Sequence, residues 1–212
     1  MSSEPAFLTP GVWRIDRLPD KTTNHLRSLD LKLDSAFLAG LTASRRAELH
    51  IVVEAEGVAV ADSKVEVTLL PSNHWGGSGS APELLAAFVR PTDPAIDVIL
   101  REASDKLAQA GKDSAIDGYA KGKKARSWEI AGAIWAAIVG HSIAYVLPSK
   151  SFEREGQQVR GPSDILSRKV GTCLDLSLLY ASCLEQAGLN SLLVLTEGHA
   201  FCGVRIPIQS GH

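Results

Sequence analysis

Apolar residues alternate with polar ones in the N-terminal third of the chain, and this period of two constrains the fold more than any other feature. The alternation occurs in three runs, at residues 29–33, 49–53 and 65–69. A period of two predicts strands with one buried face, here separated by Gly57 and by Asp62 and Ser63. We expect a β-sandwich-like segment over residues 1–77, although it has fewer strands than the roughly seven of a complete sandwich.

The rest of the chain has a different pattern. A segment rich in Gly, Ser and Pro at residues 70–80 marks the boundary. Helices are predicted at residues 94–111, 128–145, 162–169 and 173–187, and strands at residues 191–196 and 199–206. The sequence therefore predicts an α+β protein whose second domain spans residues 78–212.

Composition excludes several classes of protein. The 22 Lys and Arg residues against 24 Asp and Glu give a net charge of −2, so direct nucleic-acid binding is not expected. The longest apolar run, residues 130–139, is about half of a membrane span and predicts a buried helix. The N-terminus lacks the features of a secretory signal, and three cysteines do not suggest a disulfide framework. We therefore expect a cytoplasmic protein.

A small basic cluster lies between the second and third helical patterns. It consists of Lys121, Lys123, Lys124 and Arg126. Such a charge run is usually a solvated loop, and a patch for an anionic partner is the alternative.

Cys173 gives the strongest chemical signal in the chain. Gly171 and Thr172 supply a turn and a helix N-cap, so Cys173 falls in the first turn of a helix. The positive end of the helix dipole favours a thiolate there, and an imidazole can complete the activation of the nucleophile. His199 begins the second strand after this helix, and consecutive elements usually pack side by side. A core cysteine is the alternative, as we interpret Cys183.

Several motifs, in their order along the chain, resemble the transglutaminase-like branch of the papain-like cysteine superfamily. They are HWGG, ELLAAFVRP, SFEREGQQVR, GTCLDL and EGHAF, and the resemblance covers roughly residues 28–206. The set is similar to one subgroup, found after a β-sandwich-like segment near the N-terminus of large bacterial helicase-related proteins. The resemblance implies a transglutaminase-like α/β core at residues 78–212.

The resemblance also implies roles for four residues. Cys173 matches the nucleophile and His199 the general base. Gln157 matches a donor to an oxyanion hole, next to the backbone N–H of Cys173, and an ordinary loop glutamine is the alternative. Trp75 matches a residue that lines a substrate groove, and a tryptophan that caps the core is the alternative.

The chain departs from the family after the histidine. The family's orienting acid lies on the next strand, but residues 200–212 contain no Asp, Glu or Asn. Glu197 and Asp164 remain candidates for this role, whereas Asp175 would point away from Cys173 on the same helix. Loss of the orienting group can lower turnover by about 10⁴. We therefore expect the isolated chain to be a poorly active fragment of a larger protein.

Two classes of function follow. The first is a cysteine-dependent enzyme that transfers an acyl group to an amine or hydrolyses a peptide or amide. The second is a catalytically inactive module that binds a peptide or other domains of a helicase-related protein. No cofactor is expected, and a zinc site is disfavoured because the chain has no Cys-x-x-Cys and because His199 and Cys202 face opposite sides of a strand.

Overall fold

The computed structural model describes residues 1–15, 23, 29–80, 82–120, 122 and 124–206. It contains both helices and strands, which confirms a mixed α+β class. The chain divides into unit 1, residues 1–72, and unit 2, residues 73–212. The sequence places the boundary after residue 77; in the structure it comes earlier, because residues 74–75 pair with residues 157–158 of unit 2.

Unit 1 is built on an antiparallel sheet with the strand order β1-β2-β3. Its elements are β1 (Ser2–Glu4), α1 (Ser35–Ala39), β2 (Arg45–Ala55) and β3 (Val58–Leu69). Glu56 and Gly57, with φ of 52° and 78°, form the two-residue turn between β2 and β3. Positive φ at both positions is typical of the hairpin turns that match strand twist. Phe7, Leu8 and Ala47 form the buried apolar cluster of this unit.

Two of the three predicted strands of unit 1 are confirmed. Residues 49–53 lie in β2 and residues 65–69 lie in β3. Residues 29–33 are not a strand, and Leu33 alone forms a β-bridge, to Leu8. The leucines of this run are between 36% and 54% exposed, so little apolar burial stabilises a longer pairing there.

Two further expectations for unit 1 are corrected. Asp62 and Ser63 do not separate strands, because they lie inside β3 and pair with Val52 and Ile51. Both side chains are exposed, so a polar pair is tolerated in mid-strand. A β-sandwich requires two packed sheets. The part of unit 1 that the structure describes contains one sheet of three strands, so the sandwich-like segment is corrected to a single sheet.

Unit 2 combines helices with short paired strands. Its elements are β4 (His74–Trp75), a 3-10 helix (Pro82–Phe88), α2 (Pro94–Gln109), α3 (Lys124–Gly140), β5 (Ala144–Tyr145), α4 (Phe152–Glu155), β6 (Gln157–Gln158), α5 (Pro162–Arg168), β7 (Val170–Gly171), α6 (Cys173–Gln186), β8 (Ser191–Thr196) and β9 (His199–Val204). Strand β4 pairs antiparallel with β6, β5 parallel with β7, and β8 antiparallel with β9. The predicted helices at α2, α5 and α6 and the predicted hairpin at β8 and β9 are confirmed.

Helices α2, α3 and α6 enclose the main core of unit 2. Its largest fully buried side chains include Ile96, Ile99, Ile130, Ile134, Leu179 and Leu184. Helix α3 ends at Gly140, earlier than the apolar pattern predicts. The expectation of a buried helix is only partly met, since Trp128 and Trp135 are 62% and 52% exposed.

The basic cluster is not simply a solvated loop. Lys121 and Lys123 lie outside the described residues. Arg126 is buried in α3, and its guanidinium forms ion pairs with Asp117 and Glu129. The charge of Arg126 is therefore already balanced by these two carboxylates. The patch proposed for an anionic partner has one available cation fewer than the sequence predicts.

Candidate functional site

Cys173 is the first residue of α6, as the sequence predicts. Thr172 is the N-cap: its Oγ1 accepts a 3.3 Å hydrogen bond from the Asp175 N–H, and Asp175 Oδ2 accepts one of 3.0 Å from the Thr172 N–H. This reciprocal capping box fixes the start of the helix. The first intrahelical bond runs from the Leu176 N–H to the Thr172 carbonyl. The N–H of Cys173 lies before this first bond, so it donates no hydrogen bond within the helix.

Asp175 anchors the helix start to the preceding loop. Its side chain is fully buried. It accepts a 2.9 Å hydrogen bond from the Arg160 N–H and one of 2.8 Å from the Arg160 guanidinium. These contacts occupy both carboxylate oxygens, so Asp175 is a structural residue and does not orient His199.

Gln157 lies directly beside the start of α6. Its amide is buried, and Nε2 donates a 2.9 Å hydrogen bond to Thr172 Oγ1. Strands β4 and β6 place Gln157 opposite Trp75. They come this close because Gly156 lacks a side chain: a Cβ there would lie 1.8 Å from the Trp75 carbonyl oxygen. The HWGG and GQQ motifs thus meet at the N-terminal end of α6.

Trp75 belongs to the same buried apolar cluster as Cys173, together with Phe152, Leu174 and Ala200. Its side chain is 1% exposed, which agrees with a core role. However, its indole Nε1 has no hydrogen-bond partner among the described residues. Leaving a buried donor unpaired costs about 1–3 kcal/mol, so this N–H is a candidate to bind a ligand.

Tyr145 is the neighbour of Cys173 that the sequence did not reveal. Strand β5 pairs with β7 so that Tyr145 lies opposite Gly171. Partial burial, followed by the charge and hydrogen bonding of the nearby Cys173 sulfur, raises the pKa of Tyr145 above its usual value. A phenol that is protonated at neutral pH can donate to a thiolate. The two-residue strand is too short to have an alternation signal, so no sequence pattern points to it.

His199 begins β9, but its side chain lies on the outer face of the hairpin. Along the strand His199 and Phe201 are exposed and Ala200 is buried in the cluster that contains Cys173. The rings of His199 and Phe201 have centroids 6.4 Å apart. No side-chain hydrogen bond joins His199 to Cys173 or to any other residue within the described ranges. The pairing of Cys173 with His199 therefore stays a prediction.

The two candidate acids do not contact His199 either. Asp164 lies in the first turn of α5 and faces Arg168, with 3.8 Å between carboxylate and guanidinium atoms. Glu197 is exposed in the turn between β8 and β9. The third member of a triad is thus not identified among the described residues.

The other two cysteines have different surroundings. Burial raises the pKa of Cys183 to about 12 and that of Cys202 to about 11. Both are therefore held as thiols near neutral pH. In the part of the chain that the structure describes, no three His, Cys, Asp or Glu side chains are grouped closely enough to hold a metal ion.

No protein-family model, curated protein or solved structure matches the chain. Within the described ranges, no helix has both the length and the apolar character needed to cross a membrane. Because these comparisons supply no function, the proposal below is based on the geometry around Cys173.

Proposed function

We propose that unit 2 is a transglutaminase-like, cysteine-dependent domain that transfers or hydrolyses acyl groups, with Cys173 as its nucleophile. The observation that carries the proposal is the position of Cys173 at the first turn of a capped helix, in one cluster with Trp75, whose indole N–H has no partner among the described residues. Tyr145 is a neighbour of the Cys173 sulfur, and its hydroxyl can donate a hydrogen bond to that sulfur.

The proposed reaction has two halves. The Cys173 thiol gives its proton to His199, and the thiolate attacks the carbonyl carbon of an amide. The oxyanion accepts hydrogen bonds from the Cys173 N–H and from Trp75 Nε1, and the amine leaves with the proton from His199, so that a thioester remains. Water or a second amine then attacks the thioester carbon and releases the thiol.

Gln157 has a supporting role in this proposal. Its bond to Thr172 uses one of the two amide N–H groups. Through Thr172 it positions the helix start that carries Cys173, and its second N–H is a further candidate donor to the oxyanion. In this proposal Trp75, which is 1% exposed, contacts the substrate only through its indole N–H.

His199 must come into contact with Cys173 for this chemistry to run at full rate. In the structure its ring has no orienting partner among the described residues. We therefore expect slow turnover from this chain. The same observation favours the second candidate function, an inactive module that binds a peptide or other domains of a helicase-related protein. For either function we place the domain in the cytoplasm, where three free cysteines remain reduced.

Turnover by the full chain and by two variants tests the proposal. The substrates are a glutaminyl peptide with an added primary amine and, separately, the peptide alone. Slow product formation that disappears in Cys173→Ala and persists in the matched core variant Cys183→Ala supports the proposal. Activity that survives in Cys173→Ala would contradict it. An inactive chain that still binds the peptide would favour the second function.

A further inference from the structure

Strand β8 has one edge that is unpaired among the described residues, since it pairs only with β9. The backbone N–H of Arg205 donates a 2.9 Å hydrogen bond to the Asn190 carbonyl, just before β8 begins. In an antiparallel pair the backbone groups of alternate residues face the partner. The backbone N–H and C=O groups of Leu192 and Val194 therefore face β9, as the carbonyl of Asn190 does.

The odd-numbered residues of β8 face the other way. The backbone N–H of Ser191 donates a 2.7 Å hydrogen bond to Glu185 Oε1, on α6 and not on β9. By the same alternation the N–H and C=O groups of Leu193 and Leu195 point to this side. The edge of β8 thus presents a row of backbone donors and acceptors without strand partners among the described residues.

A groove of about 770 Å³ runs along this edge. Its apolar lining includes Leu85 and Val89 from the 3-10 helix and the residues after it, and Leu193 and Leu195 from β8. Its size is within the roughly 300–1,000 Å³ of typical ligand sites. All four apolar side chains belong to or pack against the cluster that contains Cys173, so the groove borders that cluster.

The charges of the groove have one sign. Glu83 and Glu185 line it, and no described Lys, Arg or His does so. Glu185 uses Oε1 to accept both hydrogen bonds from Ser191, while Oε2 has no partner in the part of the chain that the structure describes. A cationic side chain would complement both carboxylates.

We propose that the groove binds an extended peptide with aliphatic and basic side chains, which adds as a strand to the edge of β8. Its backbone pairs with Leu193 and Leu195. Its aliphatic and basic residues occupy the alternate positions whose side chains face the groove, so the aliphatic ones pack on Leu85 and Val89 and the basic ones meet Glu83 and Glu185. This rests on the proposed function in one respect, because it takes the peptide to be the substrate presented to Cys173.

Peptide binding to the full-length Cys173→Ala chain tests the proposal without any chemistry. The probe is an acetylated hexapeptide amide with lysine, leucine and lysine at positions 1, 3 and 5 and serine at the even positions, so that all three side chains lie on one face of the strand. Its control has glutamate in place of lysine. We expect the leucine–lysine peptide to bind at least tenfold more tightly. Glu185→Gln should weaken this binding about threefold to tenfold, whereas Glu66→Gln, at an exposed position of β3, should leave it unchanged.

Backbone-methylated peptides and amide exchange test the strand geometry. Only alternate residues of an added strand bond to β8. Methylation of the three odd-position nitrogens or of the three even-position nitrogens should therefore have unequal effects, one at least tenfold and the other small. The amides of Leu193 and Leu195 should exchange at least tenfold more slowly when the peptide is bound.

Equal binding of the lysine and glutamate peptides, equal effects of the two methylated peptides, or unchanged exchange at Leu193 and Leu195 would each overturn the proposal. Binding as expected, without any chemistry at Cys173 in the unmodified chain, would refute only the proposed function. Chemistry at Cys173 without this mode of binding would refute only the proposed binding of the peptide along β8.

Discussion

The side-chain amide of Gln157 donates a 2.9 Å hydrogen bond to the hydroxyl of Thr172, the residue that caps the helix of Cys173. Both side chains are buried, so the bond links β6 to the start of α6 inside the core. The position of the cysteine therefore depends on a contact between segments that are distant in sequence.

A double-mutant cycle with Gln157→Ala and Thr172→Ala measures this bond. A buried hydrogen bond contributes about 1 kcal/mol, so we expect the two changes to be less than additive by about that amount in the free energy of urea unfolding. Simple additivity within a few tenths of a kcal/mol would show that the two side chains are not coupled.

Gly156→Ala should disrupt the site more than a comparable glycine change elsewhere. A Cβ at Gly156 would lie 1.8 Å from the Trp75 carbonyl oxygen, whereas one at Gly111 would meet nothing within 4 Å. Both glycines have positive φ, so both changes carry backbone strain, and Gly156, with φ 84° and ψ 179°, has a conformation that essentially only glycine adopts. We expect unfolding measurements to show Gly156→Ala losing about 1–3 kcal/mol more than Gly111→Ala. Equal losses would contradict the close approach of β4 and β6.

Tyr145→Phe should slow the reaction of Cys173 with iodoacetamide. The Tyr145 hydroxyl can donate a hydrogen bond to the sulfur that attacks iodoacetamide, and the variant removes that donor. We expect the alkylation rate at neutral pH to fall about threefold to tenfold, as followed by peptide mass spectrometry. Cys202 in the same samples serves as the internal control. An unchanged rate at Cys173 would mean that Tyr145 does not interact with the thiolate.

The stability of the protein should fall in alkaline solution. Burial raises the pKa of Cys183 from 9.0 to about 12, so above pH 9 the unfolded chain releases this proton while the folded chain keeps it. The contribution is fully present below pH 9 and is lost as the pH rises toward 12, with a slope of up to about 1.4 kcal/mol per pH unit. Cys183→Ala should show a shallower decline above pH 9, and identical slopes would contradict the assignment.

Local signals predicted the start of α6 correctly, because a capping residue and the helix it begins are neighbours in sequence. The N-cap at Thr172 and the helix start at Cys173 were predicted from adjacent residues alone. The run at residues 29–33 shows the opposite case: its alternation resembles a strand, yet only Leu33 pairs. A strand needs a partner as well as a pattern, and the pattern alone does not supply one.

The surroundings of Cys173 were less predictable. Arg160, bound to Asp175, and Tyr145, close to Cys173, reach the site through tertiary contacts that no periodicity encodes. The order of elements predicted that α6 and β9 would be neighbours, but not which face of β9 holds His199. At a strand end that face depends on register, and the register here puts Ala200 in the buried cluster.

The most direct test of the central claim is to trap an acyl group on Cys173. A p-nitrophenyl ester is suitable because its leaving group departs without a proton from His199, so the test does not depend on a complete triad. After brief reaction and acid quenching, mass spectrometry of the peptides should find a thioester at Cys173, with far less at Cys183 or Cys202. Equal acylation of the three cysteines, or none at Cys173, would contradict its role as the nucleophile.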